Sequence, residues 1–233
     1  MARRRPRITT VFFDLGGTLV DERDFARWSD AAARLRLDAP VEEISRAFAE
    51  VEEIADREPQ MGFHDFWRET LSRATGVALP PGVAERFCAT LREGPCAYPL
   101  FSDVRRCLDT LSRQRRRLGI ISNSESSDRV REILRNADLE GRFDPIVSSG
   151  TEGIRKPHPA IFHRALELAG VPGPSAFYVG NLPETDARAA ARAGLHSIWL
   201  HRNGTGFGED PPEITSLLEL PLAIHRVEGG RPA

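Results

Sequence analysis

The chain of 233 residues is 40% hydrophobic and 28% charged, with a formal net charge of −2, which excludes disordered, collagenous and fibrous proteins. The near-neutral balance also argues against tracking a nucleic-acid backbone, and no run approaches the roughly 18 apolar residues of a membrane span. The Arg-rich start lacks the apolar segment of a signal peptide, so a soluble, cytoplasmic protein without nucleic-acid or membrane partners is expected.

In chain order, residues 8–13 are a β-branched and aromatic run that reads as a buried strand, ending at Asp14 and followed by the turn residues Leu15-Gly16-Gly17-Thr18. From about residue 24 to residue 92, apolar residues recur at three- and four-residue steps in four sets that begin at Phe25, Val41, Phe63 and Val83. Pro40, Pro59 and Pro80-Pro81 separate the sets. Four helices without an intervening strand predict a helical insertion, residues 20–97, in a core made of residues 1–19 and 98–233. The acidic stripe Glu42, Glu43, Glu50, Glu52, Glu53, Asp56 and Glu58 reads as a solvated face.

Beyond Tyr98-Pro99 helix and strand alternate. Helices are predicted over 101–113, 127–137, 159–169 and 184–193, and strands over 117–122, 143–148, 176–180 and 196–200. Alternation of this kind builds a parallel sheet with helices on both faces. The predicted fold class is therefore α/β, a Rossmann-like doubly wound parallel sheet of about five strands with four inserted helices. The glycine-rich residues 204–208 read as a connector to a last short helix near residues 214–218.

Arg3-Arg4-Arg5 with Arg7 reads as a solvated tail, and Arg115-Arg116-Arg117 as a helix end entering a strand. Cys88, Cys96 and Cys107 are odd in number and lack a C-x-x-C pair, as reduced structural thiols would. Of the 32 basic residues only Lys156 is a lysine.

Open parallel sheets bind ligands beyond the carboxyl ends of their strands. Three predicted strands end there in polar groups: Asp14, Ser122-Asn123 and Gly180-Asn181. Lys156 lies in the loop after a fourth. Singly, each has an ordinary explanation as a turn or cap residue. Together, a carboxylate, a hydroxyl, two amides and a lone ammonium suit a small anionic substrate.

Asp14-Leu15-Gly16-Gly17-Thr18-Leu19 after an apolar strand, Ser122-Asn123, Lys156-Pro157 and Gly180-Asn181 with Asp186 resemble, in order, the four motifs of the haloacid dehalogenase-like hydrolase superfamily. The helical insertion resembles that family's cap of the first type. The resemblance implies phosphoryl transfer through Asp14 as nucleophile. It implies that Ser122, Asn123 and the backbone N–H groups of residues 15–18, including Gly17 and Thr18, hold the phosphate, and that Lys156 neutralises nucleophile and phosphate. It further implies Mg2+ held by Asp14, the carbonyl of Gly16, Asn181 and Asp186.

Two positions depart from the phosphatase pattern. Gly16 stands where the family usually carries a second Asp as general acid and base, a function worth about 10²–10⁴-fold, with Asp21, Glu22 or a cap residue as possible substitutes. Asn181 stands where a metal-binding Asp is usual, which weakens the ion's hold. Three readings follow: a slow Mg-dependent phosphatase, a catalytically weakened anion-binding or regulatory protein, and a metal-independent 2-haloacid dehalogenase. Substrate choice falls to the cap, hinged near residues 20–24 and 94–99, with Arg27, Trp28, His64 and Trp67 as candidate recognition groups. Either a monomer or a homodimer is compatible with these features.

Overall fold

The computed structural model describes residues 7–21, 25–58, 61–93, 98–204 and 210–229. Six strands, β1 (Thr10–Phe13), β2 (Arg117–Ser122), β3 (Ile146–Ser148), β4 (Ala176–Gly180), β5 (His196–Leu200) and β6 (Glu213–Ile214), form one sheet in the order β3-β2-β1-β4-β5-β6. Every pairing is parallel. The sheet switches direction between β1 and β4, and the crevice beyond their carboxyl ends is where this topology places ligands.

Alternation sends the side chains of β1 to opposite faces. Val11 and Phe13 join one apolar layer with Leu108 and Leu111 of α5 (Val104–Arg113), Val130 and Leu134 of α6 (Ser127–Asn136), and Ile224 of α10 (Leu220–Val227). Phe12 joins the other with Ile161, Phe162 and Ala165 of α8 (Pro159–Ala169) and Ala190 of α9 (Ala189–Arg192).

The inserted helices are α1 (Phe25–Arg34), α2 (Val41–Arg57), α3 (Phe63–Thr75) and α4 (Val83–Arg92). They bury an apolar cluster of their own, with Trp28, Ile44, Val51, Leu71 and Phe87 at its centre. Where this segment leaves and rejoins the sheet, Val20 bridges Leu100 and the Asp21 N–H donates to Pro99 O at 2.9 Å. Of the expected hinges, residues 22–24 and 94–97 lie outside the described residues. So do the tail arginines 3–5, Pro59, Cys96 and residues 205–208 of the glycine-rich connector.

Four expectations need correction. A sixth strand is present: Glu213 and Ile214 pair with Trp199 and Leu200. The expected helix starts later because Ser216 caps Leu217–Glu219, with Glu219 reaching back to the Ser216 N–H. Strand β3 starts at Ile146, since Pro145 has no N–H to give the ladder. The helix predicted over 184–193 begins as a π-helical turn, Pro183–Arg188, before α9. A short helix, α7 (Ser149–Glu152), also follows β3, its first turn held by the Ser148 side chain accepting from the Thr151 N–H.

Cys88 and Cys107 are free and buried, and burial pushes both thiols up to about 12. Among the described residues no helix is long and apolar enough to cross a membrane.

Candidate active site

Asp14 leaves β1 at the switch point, with its N–H donating to Val179 O at 2.9 Å. The turn that follows closes on itself: the Gly17 N–H donates to Val20 O at 2.8 Å and the Thr18 N–H to Leu15 O at 3.3 Å. These two N–H groups, expected on the phosphate, are thus engaged within the loop. Gly17 has φ +70°, and an added Cβ would meet the Asn181 amide nitrogen at 2.4 Å, so backbone conformation and close approach both require glycine here. Thr18 is fully buried beneath the turn, and its hydroxyl lies 3.5 Å from Asp14 Oδ2 and 3.4 Å from Asn181. It supports the carboxylate from below rather than facing the cavity.

Lys156 brings the rim together. Its ammonium donates to Asp14 Oδ1 at 2.7 Å, to Asp186 Oδ1 at 2.7 Å and to the Tyr178 hydroxyl at 2.9 Å. A lysine carries three such protons, and all three are committed. Asn123 brackets the Lys156 backbone, its Oδ1 accepting from the Lys156 N–H at 2.9 Å and its amide donating to Lys156 O at 3.0 Å. Asn123 was expected as a substrate contact; its amide instead fixes the loop that carries the ammonium.

Asp186 also departs from expectation. Its Oδ1 accepts from Lys156 and from the Tyr178 hydroxyl at 2.9 Å, and its Oδ2 from the Leu182 N–H at 3.0 Å. The residue is wholly buried. Oδ1 anchors Lys156 and Oδ2 is taken by the Leu182 N–H, so Asp186 is engaged inside the protein and is not presented to the cavity as a metal ligand. Gly180 leaves it room, because a Cβ there would come within 2.3 Å of the carboxylate. Tyr178 was not anticipated; it sits mid-strand in an apolar run, and only the fold reveals its hydroxyl against Lys156.

The electrostatics follow from burial. Burial pushes the Asp14 carboxyl up to about 6, against the pull of Lys156 and with the help of Asp186. Burial also opposes the charge on Lys156, but the two carboxylates overcome it and hold the ammonium above its ordinary value. Tyr178 is held well above the usual phenol value by burial and the same two carboxylates.

Asn181 reaches across to Asp14 and Gly16. Its outer amide atom stands 3.2 Å from Asp14 Oδ2 and 3.0 Å from Gly16 O. With the NH2 turned inward it donates to both. With the oxygen turned inward, it stands from each of the other two oxygens at about 3 Å, the spacing of neighbouring ligands around an octahedral ion with bonds near 2.1 Å. Asp14, Gly16 and Asn181 therefore fit a small divalent cation, with one carboxylate and two neutral oxygens.

These residues form the floor of a 650 Å³ cavity also lined by Ser122. Its roof comes from the inserted helices and includes Trp28, Phe48, Phe63, Phe66 and Trp67. Of the expected recognition groups, Trp28 and Trp67 reach it while mostly buried in the helical cluster. Arg27 instead donates to Leu91 O at 3.3 Å, and His64 stands 3.7 Å from Glu125. Glu52, expected on a solvated face, lines the cavity together with Asp21 and Glu125.

Residues 8–194 match the family model of the haloacid dehalogenase-like hydrolases. The chain belongs to this family. It is 30% identical to glyceraldehyde 3-phosphate phosphatase from Pyrococcus abyssi, over 82% of this chain and 81% of that protein. Similar solved structures include a 2-haloacid dehalogenase from Pseudomonas syringae, with TM-score 0.66 and 26% identity over 94% of this chain and 99% of the other. The magnesium-bound HAD-hydrolase YfnB from Bacillus subtilis has TM-score 0.73 and 21% identity over 94% and 99%. The protein is therefore a hydrolase of this family.

Proposed function

We propose that this hydrolase is a magnesium-assisted phosphatase of a small phosphorylated metabolite, working through an aspartyl-phosphate on Asp14. The observation that carries the reading is the 2.7 Å contact between Lys156 Nζ and Asp14 Oδ1 on the floor of the cavity. An ammonium fixed beside the attacking oxygen keeps the carboxylate ionised and meets the charge on the phosphoryl oxygens. Asp14 Oδ1 attacks phosphorus, the ester oxygen departs, and water then frees phosphate and restores the carboxylate. The Ser122 hydroxyl lies on the same floor to hold a phosphoryl oxygen. Asp14, the Gly16 carbonyl and Asn181 would hold Mg2+, which when bound supplies further positive charge beside the transferred group.

In this reading residues 20–97 act as a cap over a core of residues 1–19 and 98–233, and close the cavity against water. The phosphatase relative supports it. The test is a screen of phosphorylated metabolites with and without Mg2+, with acid-quenched protein digested to find a phosphoryl group on the Asp14 peptide. Phosphate release with that label is expected. Chloride release from a short 2-chloro acid in chelator, with no phosphate released from any ester, would replace the reading by dehalogenation.

A further inference from the structure

Two independent features of the cavity narrow its substrate: what roofs it, and what its floor lacks. The roof is aromatic. Phe48 lies with its ring centroid 5.3 Å from that of Trp28, 5.0 Å from Phe66 and 5.5 Å from Trp67. Phe48 and Phe63 are only half-buried, so ring surface is left on the cavity wall. Phe48, Phe63 and Phe66 offer no hydrogen bond to a polyhydroxylated body, whereas a flat apolar one recovers contact along their rings.

Among the described residues, no acid held against Lys156 other than Asp14 itself faces the cavity to protonate a departing oxygen. Residue 16 is glycine. The three protons of Lys156 are committed to Asp14, Tyr178 and Asp186. Asp186 is wholly buried with both oxygens occupied, and Glu125 on the wall is paired with Arg92. An aliphatic alkoxide, whose conjugate acid is close to water at roughly 16, needs such a donor. A phenolate, with a conjugate acid near 10, does not.

We infer that the substrate of this site is an aryl phosphate, whose ring lies against the aromatic roof and whose oxygen leaves as a phenolate. This rests on the phosphatase reading. An Asp14 carboxylate oxygen bonds to phosphorus, the P–O(aryl) bond breaks with its electron pair on the phenolate, and the phenolate takes its proton from solvent. Water then attacks the phosphoryl group, releasing inorganic phosphate and returning Asp14.

Four probes separate ring from leaving group in the wild-type protein with Mg2+. Phenyl phosphate has both, benzyl phosphate has the ring with a poor leaving group, acetyl phosphate has a good leaving group without a ring, and glycerol 3-phosphate has neither. Phenyl phosphate is expected to exceed benzyl phosphate in kcat/KM, which reports formation of the aspartyl-phosphate, by about 100-fold or more, the scale of missing general-acid assistance. Phenylphosphonate should inhibit at a concentration about tenfold below methylphosphonate, from burial of the ring. Gly16→Asp should narrow the phenyl-to-benzyl gap, and Phe63→Ala should raise KM for phenyl phosphate and not for acetyl phosphate.

Equal kcat/KM on phenyl and benzyl phosphate would mean that another acid, such as Asp21 or Glu52, protonates the leaving oxygen, and would overturn the inference. Equal inhibition by the two phosphonates would do the same. Acetyl phosphate hydrolysed through a labelled Asp14, with phenyl phosphate no better than glycerol 3-phosphate, would overturn the aryl assignment and leave the phosphatase intact. No hydrolysis and no label with any probe would remove both.

Discussion

The Lys156 ammonium is shared between Asp14 and Asp186, standing 2.7 Å from an oxygen of each. One carboxylate faces the cavity and the other is sealed beneath it, so the buried acid holds the cation at the position where the exposed acid uses it.

Lys156→Arg keeps the charge but exchanges a compact ammonium for a planar fork. A guanidinium cannot meet three acceptors converging on one point at 2.7, 2.9 and 2.7 Å. Phosphatase kcat is expected to fall at least about 100-fold, the scale of losing one preorganised electrostatic contact, while circular dichroism shows a folded protein. Activity within a fewfold of wild type would mean that the cation acts only through its charge.

Asp14→Asn is expected to abolish turnover and the acid-stable label and to flatten the pH dependence of thermal stability between about 4 and 6. Burial raises the Asp14 carboxyl to about 6, so its ionised form is disfavoured in the folded state. Stability associated with Asp14 is present below the unfolded value near 3.9 and lost as pH rises through about 6. A neutral side chain removes that loss. A Tm that falls between about pH 4 and 6 as steeply in the variant as in the wild type would contradict the sign of this effect.

Asn181→Asp adds a second carboxylate to the three-oxygen cluster with Asp14 and Gly16. Charged oxygens bind Mg2+ more strongly than amide oxygens, and an aspartate has no NH2 with which to bond the cluster to itself. The Mg2+ concentration at half-maximal rise in Tm is expected to fall at least about tenfold, as differential scanning fluorimetry would read without turnover. An unchanged midpoint would place the ion elsewhere.

Arg202 ties the active-site turn to the far end of the sheet. It donates to Asp103 at 2.9 and 3.1 Å and to Thr18 O at 2.7 Å, and Asp103 also accepts from Ser216 and the Leu217 N–H. Burial alone would raise the Asp103 carboxyl, but these hydrogen bonds outweigh it and hold it below the ordinary carboxylate value. Its contribution is therefore full above that ordinary value and lost as pH falls through the depressed one. Asp103→Asn is expected to cost about 1–3 kcal/mol at pH 7 and to flatten the acid limb of stability measured by urea unfolding. A limb as steep as that of the wild type would assign it to other carboxylates.

The strands were legible because each is a short apolar run closed by turn residues, and β2, β4 and β5 fall where those runs predict them. Strand β6 was not, since two residues carry no periodicity and pair only because β5 offers them an open edge. The π-helical start of the segment holding Asp186 was equally silent, as its composition is that of an ordinary helix.

Spacing and order along the chain determined the alternation of strand and helix, the helical insertion, and the delivery of Asp14, Ser122, Lys156 and Asn181 to one rim, because local periodicity and chain topology are written in neighbouring residues. Which oxygen each group faces was decided only by packing. Burial of Asp186 turned an expected metal ligand into the anchor of Lys156, the Asn123 amide was taken by the Lys156 backbone, and Tyr178 gained a partner from another loop. Those contacts join residues 22 to 33 positions apart, a separation at which no local pattern specifies which side chains meet.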